Sequence, residues 1–292
     1  MIKSLIQQWF GKPGASKKPR FGQRRVIAAS THGIDPQWVD ERAWTVVRTL
    51  QERGYTAYIV GGAVRDLLLG LRPKDFDVAT NATPEQVKAL FRRAFIIGRR
   101  FRIVHVVYGR GREHEVIEVS TFRAYLDNAA AETVSGNERT SKGELSRMHH
   151  AVGASGRVLR DNVWGPQDED AARRDFTVNA MALELTGDSP ALIDPFNGAA
   201  DLIARVLRTP LSPEESFSDD PLRMLRAARF IARFNLTPVP ELLQAVRDMH
   251  QRLEIVSAER VRDELDKLIT LPHPSAGLWF ALDTGLADQQ RI

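Results

Sequence analysis

The hydrophobic pattern along this chain changes period four times. Between Gln37 and Gly54 the apolar positions Trp38, Val39, Trp44, Val47 and Leu50 recur at helical spacing, which predicts an amphipathic helix. The run Ala57-Tyr58-Ile59-Val60 is short and continuously apolar, as a strand covered on both faces would be. Gly61-Gly62 breaks it, and a leucine-rich helix is predicted from Ala63 to Leu69. Alternation in Ile103 to Tyr108 and in Val116 to Thr121, separated by Gly109-Arg110-Gly111-Arg112, predicts a hairpin. From Pro221 onward the apolar positions Leu222, Leu225, Phe230, Leu242, Val246, Val261, Leu265 and Leu268 return to helical spacing. The expected fold class is therefore α+β: a sheet-containing head over residues 35–210, followed by an all-α neck and body module over 211–292. Residues 1–34 carry Lys17-Lys18-Pro19-Arg20 and Arg24-Arg25 and are expected to form a mobile basic arm. A polar, Ser/Gly/Glu-rich insert at about 129–156 is expected to interrupt the head as a flexible excursion.

Composition narrows the class. With 292 residues and 43% hydrophobic content the chain can bury a substantial core and is expected to be globular. It has no cysteine, so disulfide frameworks and thiolate zinc sites are excluded, and a cytoplasmic location is expected. The apolar piece Leu5 to Phe10 is too short to span a membrane, and no signal-peptide pattern follows it, so no membrane partner is expected. Net charge is only +4, yet Lys88 to Arg112 holds seven arginines and one lysine without an acid. Such a strip attracts a nucleic-acid backbone, with Arg99, Arg100 and Arg102 as candidate RNA contacts. Its bland alternative is a solvated surface. Phe91, Phe95 and Phe101 interleave with these arginines and are read as core residues, as His105 is read as a packed strand histidine. His149-His150 lack partners at ligand spacing and are read as surface residues.

The candidate chemistry centres on Lys74-Asp75-Phe76-Asp77-Val78. Residues i and i+2 of a strand share a face, so Asp75 and Asp77 can hold a hard divalent cation, Mg²⁺ with Mn²⁺ as a substitute. Two further acids can complete the cluster: Glu118, on a strand able to lie beside the aspartates, or Asp175, within Arg173-Arg174-Asp175-Phe176. Gly61 and Gly62 let the main chain approach phosphate closely, while neither the Walker A nor the Rossmann glycine spacing is present. Ser218-Asp219-Asp220-Pro221 is read as a helix start, which sets Asp220 and Arg223 on one face, followed by Arg226, Arg229 and Arg233. A carboxylate acceptor beside a guanidinium donor suits the base edge that adenine and cytosine share.

Taken together, Gly61-Gly62-Ala63-Val64-Arg65-Asp66, Asp75-Phe76-Asp77, Ile117 to Arg123, Arg173 to Asn179 and Asp219 to Arg226 resemble the class II nucleotidyltransferases of the polymerase-β superfamily. That family comprises bacterial poly(A) polymerases and CCA-adding tRNA nucleotidyltransferases, and the resemblance runs from about Tyr55 to Glu264. It implies a mixed-sheet, polymerase-β-like nucleotidyltransferase head with metal binding by Asp75 and Asp77 and help from Glu118 or Asp175. It also implies triphosphate or ribose contacts from Gly61, Gly62, Arg65 and Arg174, and base reading by Asp220 with Arg223, Arg226 and the neighbouring Arg229. The stretches Ile96 to Gly109 and Arg160 to Gly165 resemble the poly(A) branch, whereas Asp194 to Asp220 and Ser257 to Glu264 resemble CCA-adding enzymes. The resulting expectation is an adenylyltransferase acting on RNA 3′ ends with ATP, the alternative being CCA addition with CTP and ATP. A catalytically silent RNA-binding protein is the rival of a different class. Members of either branch generally continue into further helical body, so transfer of the first nucleotide is expected to survive better than processive elongation.

Overall fold

A computed structural model describes residues 21–98, 101–109, 114–125, 132–134, 150–153, 158–161, 163–185 and 190–289. The first strand is β1 (Val26–Ile27), followed by the one-turn helix α1 (Ala29–His32). Helix α2 (Glu41–Glu52) is capped by the Asp40 carboxylate, which accepts from the Arg42 N–H, and buries Ala43, Val46, Val47 and Leu50 along one stripe. Then come β2 (Ala57–Val60), α3 (Gly62–Leu68) and β3 (Asp77–Thr80). Helix α4 (Pro84–Leu90) starts at a reciprocal Thr83–Gln86 capping box. Next are β4 (Ala94–Ile97) and the predicted hairpin of β5 (Ile103–Tyr108) and β6 (Glu115–Thr121). Three short strands follow, β7 (Glu132–Val134), β8 (His150–Gly153) and β9 (Val158–Asp161). The head closes with α5 (Gln167–Ala172), β10 (Ala182–Glu184), β11 (Ala191–Ile193) and α6 (Gly198–Ala204).

The large sheet has eight strands among the described residues, in the order β1-β11-β10-β2-β3-β6-β5-β4. Only the β3–β6 pairing within it is parallel, so the sheet is mixed. The β2 strand is buried on both faces along its whole length, as its unbroken apolar run requires. One core fills the space between this sheet and α2, α3 and α4, with Leu50, Ile59, Val64, Val78, Val119 and Leu183 at its centre.

The C-terminal module consists of α7 (Pro213–Asp219), α8 (Leu222–Phe234), α9 (Pro240–Met249), α10 (Ala258–Ile269) and α11 (Ser275–Asp283). Its core, built on Phe217, Met224, Leu225, Leu242 and Leu268, also takes in Phe176, Val178, Leu202 and Leu207 from the head. Phe176 is fully buried, with its ring 5.1 Å from that of Phe230. Burial of such a side chain contributes about 1.5–3 kcal/mol, and here it joins the two modules. No helix among the described residues is long and apolar enough to cross a membrane.

The fold departs from the sequence expectations in three places. The basic arm does not extend to residue 34, because Val26–Ile27 pairs with β11 at the sheet edge and Ile34 is buried. Residues 1–20, with Lys17 to Arg20, lie outside the described residues. The polar insert is not wholly irregular, since β7 and β8 lie within it and form a small sheet with β9 just beyond its end. His149 lies outside the described residues. Finally, the head and the helices do not meet at a clean boundary near 210, because the second core draws apolar side chains from both sides of it.

Candidate active site

The turn between β2 and α3 puts the first pieces together. Gly61 has φ +75° and ψ −138°, a conformation that strains any residue with a side chain. A Cβ there would lie 3.1 Å from Arg174 Nη1 and 3.7 Å from Asp77 Oδ2, so the missing side chain is the space in which a cation and a carboxylate meet. Gly61→Ala is expected to cost about 1–3 kcal/mol of stability from the backbone alone. Urea melts measure the loss, and a variant as stable as wild type would refute the strain at this turn.

The acids are arranged by strand register. Asp77 is the first residue of β3 and lies opposite Val60 on one side and Glu118 on the other. Glu118 in turn lies opposite His105, whose Nε2 is 3.2 Å from Glu118 Oε1. The histidine read as simple strand packing therefore faces the acid cluster. Asp75 falls just before the strand, but the alternation holds: Phe76 is buried, and Asp75 and Asp77 on either side of it are exposed. Although it opens onto solvent, the Asp77 carboxyl is pushed up to about 6 by desolvation at the cleft floor. Arg174 opposes the shift, while Glu118 and Asp75 add to it.

Asp175 has a different job from the one the sequence left open for it. Its Oδ1 accepts from the Phe176 N–H and Asn179 Nδ2, and its Oδ2 accepts from Arg226 Nε at 3.0 Å and Nη2 at 2.5 Å. Burial works against ionisation, but the Arg226 charge and the hydrogen bonds from Asn179 and Arg226 outweigh it and hold the carboxyl at about 2. A carboxylate saturated in this way anchors Arg226 and has no lone pair left for a metal. Glu118 is the acid that accompanies Asp77.

Three arginine and aspartate expectations are corrected. Arg65 does not face the cleft: it is buried, donates to Asp66 and Asn179, and lies 4.3 Å over the Phe234 ring, because Asp66 and Asn179 satisfy its donors within the protein. Arg229 is not at the nucleotide either, being buried against Glu264 of α10. Asp220 and Arg223 do not share a helix face. Ser212 caps α7 through a box with Glu215, and Pro221, which lacks an N–H, ends that helix and starts α8. Asp220 is thus the extended joint between two helices and pairs with Arg260 of α10 at 2.7 Å. Arg223 donates instead to Asp219 at 3.0 Å, to the Arg173 carbonyl at 2.6 Å and to Ser216.

A cavity of about 420 Å³ gathers these groups. Asp77, Glu118 and Ser120 form its sheet side, Arg174 and Asp175 its middle, and Asp220, Arg223, Arg226 and Arg260 its helical side. Arg102 also lines it and pairs with Glu85, whereas Arg99 and Arg100 lie outside the described residues. Arg260 and Asp170, which accepts from Arg174 at 3.2 Å, were not picked out as site residues from the sequence. Arg260 becomes part of the site through a contact across the fold with Asp220, while Asp170 joins it through Arg174 four residues on and through Arg123 from a distant segment.

A mixed-sheet head with facing acids on adjacent strands, whose cavity is closed by an arginine-bearing helical module, defines a nucleotidyltransferase-type architecture. The model of the poly(A) polymerase head domain matches residues 57–208, just over half of the sequence, and the chain belongs to that family. A second model, described as a probable RNA and SrmB-binding site of polymerase A, matches residues 235–290. Poly(A) polymerase I of Haemophilus influenzae is 41% identical over 255 residues, covering 87% of this chain and 52% of the relative. The CCA-adding enzyme of Lactobacillus helveticus is 38% identical over 249 residues, covering 85% and 54%. Among solved structures, the CCA-adding enzyme of Bacillus stearothermophilus in complex with CTP aligns at a TM-score of 0.67 and 33% identity, over 86% of this chain and 53% of that one. The chain spans about half the length of the curated relatives it matches.

The superfamily uses divalent metals, and the donor set fits one. Among the described residues no three acids or histidines converge into a complete metal nest. Mg²⁺ does not need one, since it keeps several waters and takes one or two carboxylates together with substrate phosphates. Asp77, Asp75 and Glu118 are oxygen donors whose mutual repulsion a cation relieves.

Proposed function

We propose that the chain is a template-independent RNA nucleotidyltransferase that joins AMP from ATP to an RNA 3′-hydroxyl and releases pyrophosphate. The observation that carries this reading is the shared cavity, in which Asp77 and Glu118 from the sheet meet Arg174, Arg223 and Arg226 from the elements that close it. Asp75 and Asp77 would hold Mg²⁺, which when bound stabilises the attacking and leaving oxygens of an in-line displacement. Glu118 completes the acidic cluster on the side where the 3′-hydroxyl is deprotonated. Gly61 leaves room for Arg174 to reach the cleft, where it neutralises charge on the phosphate, while the open side of Gly62 faces the buried Arg65. Asp220 and Arg223 read the base edge, with Arg226 held beside them by Asp175 and Asp220 oriented by Arg260.

ATP as substrate is supported by the poly(A)-like stretch from Ile96 to Gly109 and by the poly(A) polymerase relatives. The second reading, CCA addition with CTP and ATP, is supported by the CCA-adding relatives and by the CTP complex among the structural neighbours. Incubation of an RNA carrying a tRNA-like acceptor end with Mg²⁺ and each labelled nucleotide in turn separates the two. Incorporation of ATP alone is expected; CTP incorporation transfers the chain to the second reading, and strong RNA binding with no incorporation of either nucleotide makes it a silent RNA binder.

A further inference from the structure

Two aromatic rings line the cavity without belonging to any hydrophobic core among the described residues: Phe101, just before β5, and Trp164, just before α5. Both are half-buried. Trp164 is held there by the backbone. Its segment bridges to Arg123, the Ala124 N–H donates to the Val163 carbonyl at 2.8 Å, and the Gly165 N–H donates to the Phe122 carbonyl at 3.0 Å. A Cβ on Gly165 would lie 2.5 Å from Ala124 Cα, so only glycine lets the two segments lie this close. Arg123 completes the wall, with its guanidinium 4.9 Å over the Phe101 ring and Nε 3.6 Å from Asp170.

The strand order says which part of a substrate meets this wall. Across the sheet run β2, with the Gly61 turn beside Arg174, then β3 with Asp77, then β6 with Glu118, and then β5. Phosphoryl transfer places the attacking and leaving oxygens in line on opposite sides of the phosphorus. With the leaving pyrophosphate at the Gly61 turn, the attacking hydroxyl arrives from the β6–β5 side, where Phe101, Arg123 and Trp164 stand. An aromatic face stacks any base, which suits an acceptor whose terminal base need not be read.

We infer that Trp164, backed by the Phe101–Arg123 pair, is the stacking platform for the 3′-terminal base of the acceptor RNA. This rests on the nucleotidyl-transfer reading. Trp164→Ala and Trp164→Leu are expected to raise KM for RNA by roughly 5- to 150-fold, the scale of one lost base–aromatic stack. KM for ATP should stay within about two-fold, and Trp164→Phe, which keeps a ring, should stay near wild type in both. The leucine variant keeps apolar bulk, so its loss separates stacking from mere filling of space, and circular dichroism checks that each variant folds. A parallel measurement uses RNA ending in 2-aminopurine without ATP: wild type and Trp164→Phe quench its fluorescence, and the alanine and leucine variants do not. Wild-type RNA KM and quenching in the alanine or leucine variant overturn the proposal, as does a matching rise in ATP KM, which assigns the platform to the incoming base. If wild type transfers no nucleotide, the nucleotidyl-transfer reading fails, and the quenching still decides for or against the platform.

Discussion

Substituting asparagine for Asp77 is expected to abolish nucleotide transfer, by roughly 10³-fold or more, and at the same time to raise the melting temperature at neutral pH. Loss of one preorganised electrostatic contact at a reacting centre already costs 10²–10³-fold, and Asp77 is where the acid cluster is centred. The stability gain follows from the sign of its shift. Desolvation leads the causes that lift the Asp77 carboxyl from its ordinary value of 3.8 to about 6. The native state therefore holds its proton more tightly than the unfolded chain does. Stability from this group is fully present below the unfolded value and is lost as pH rises through about 6. Asparagine carries no such penalty, so the variant should melt higher at neutral pH and coincide with wild type below about pH 4. Thermal melts across this range, alongside gel assays of primer extension, make the check. Retained activity, or a lower melting point at neutral pH, would count against a desolvated Asp77 at the centre of the acid cluster.

The second large effect is one of stability. Arg229 and Glu264 are buried against each other, at 8% and 2% exposure. Removing one partner leaves a charge in the interior with nothing to balance it, so Arg229→Ala is expected to cost about 3–5 kcal/mol in urea denaturation. Replacing both residues by apolar side chains of similar volume should recover most of that loss, because it removes the stranded charge. Transfer per folded molecule should remain within about three-fold of wild type, since Arg229 does not line the cavity. An undiminished melting curve with a raised KM for ATP would return Arg229 to the nucleotide.

The contrast between Asp77 and Arg229 shows what could be read from the sequence. Strand alternation and the glycine break were enough to set Asp75 and Asp77 on one face and to mark the Gly61 turn, because period and turn chemistry are local properties, whereas the place of Glu118 beside Asp77 depends on the long-range pairing of β3 with β6. The roles of the arginines were not local. Arg226 and Arg229 lie three residues apart on one helix, yet one faces Asp175 in the cavity and the other faces Glu264 in the interior. The basic positions alone could not separate them, because the partner acids come from segments far along the chain. Helical patterning also missed the joint at Asp220. Its acids and proline look like a helix start, but the capping box eight residues earlier, at Ser212, makes them the end of one helix and the beginning of another.

Phe176 lies in the helical core while the two residues before it, Arg174 and Asp175, line the cleft. The stretch from Arg173 to Phe176 is thus shared property of both modules. Anyone building chimeras from related proteins should carry this stretch together with the helices it plugs into. A seam cut at the apparent junction near residue 210 would separate Phe176, and the cleft residues just before it, from the helical side chains that Phe176 packs against.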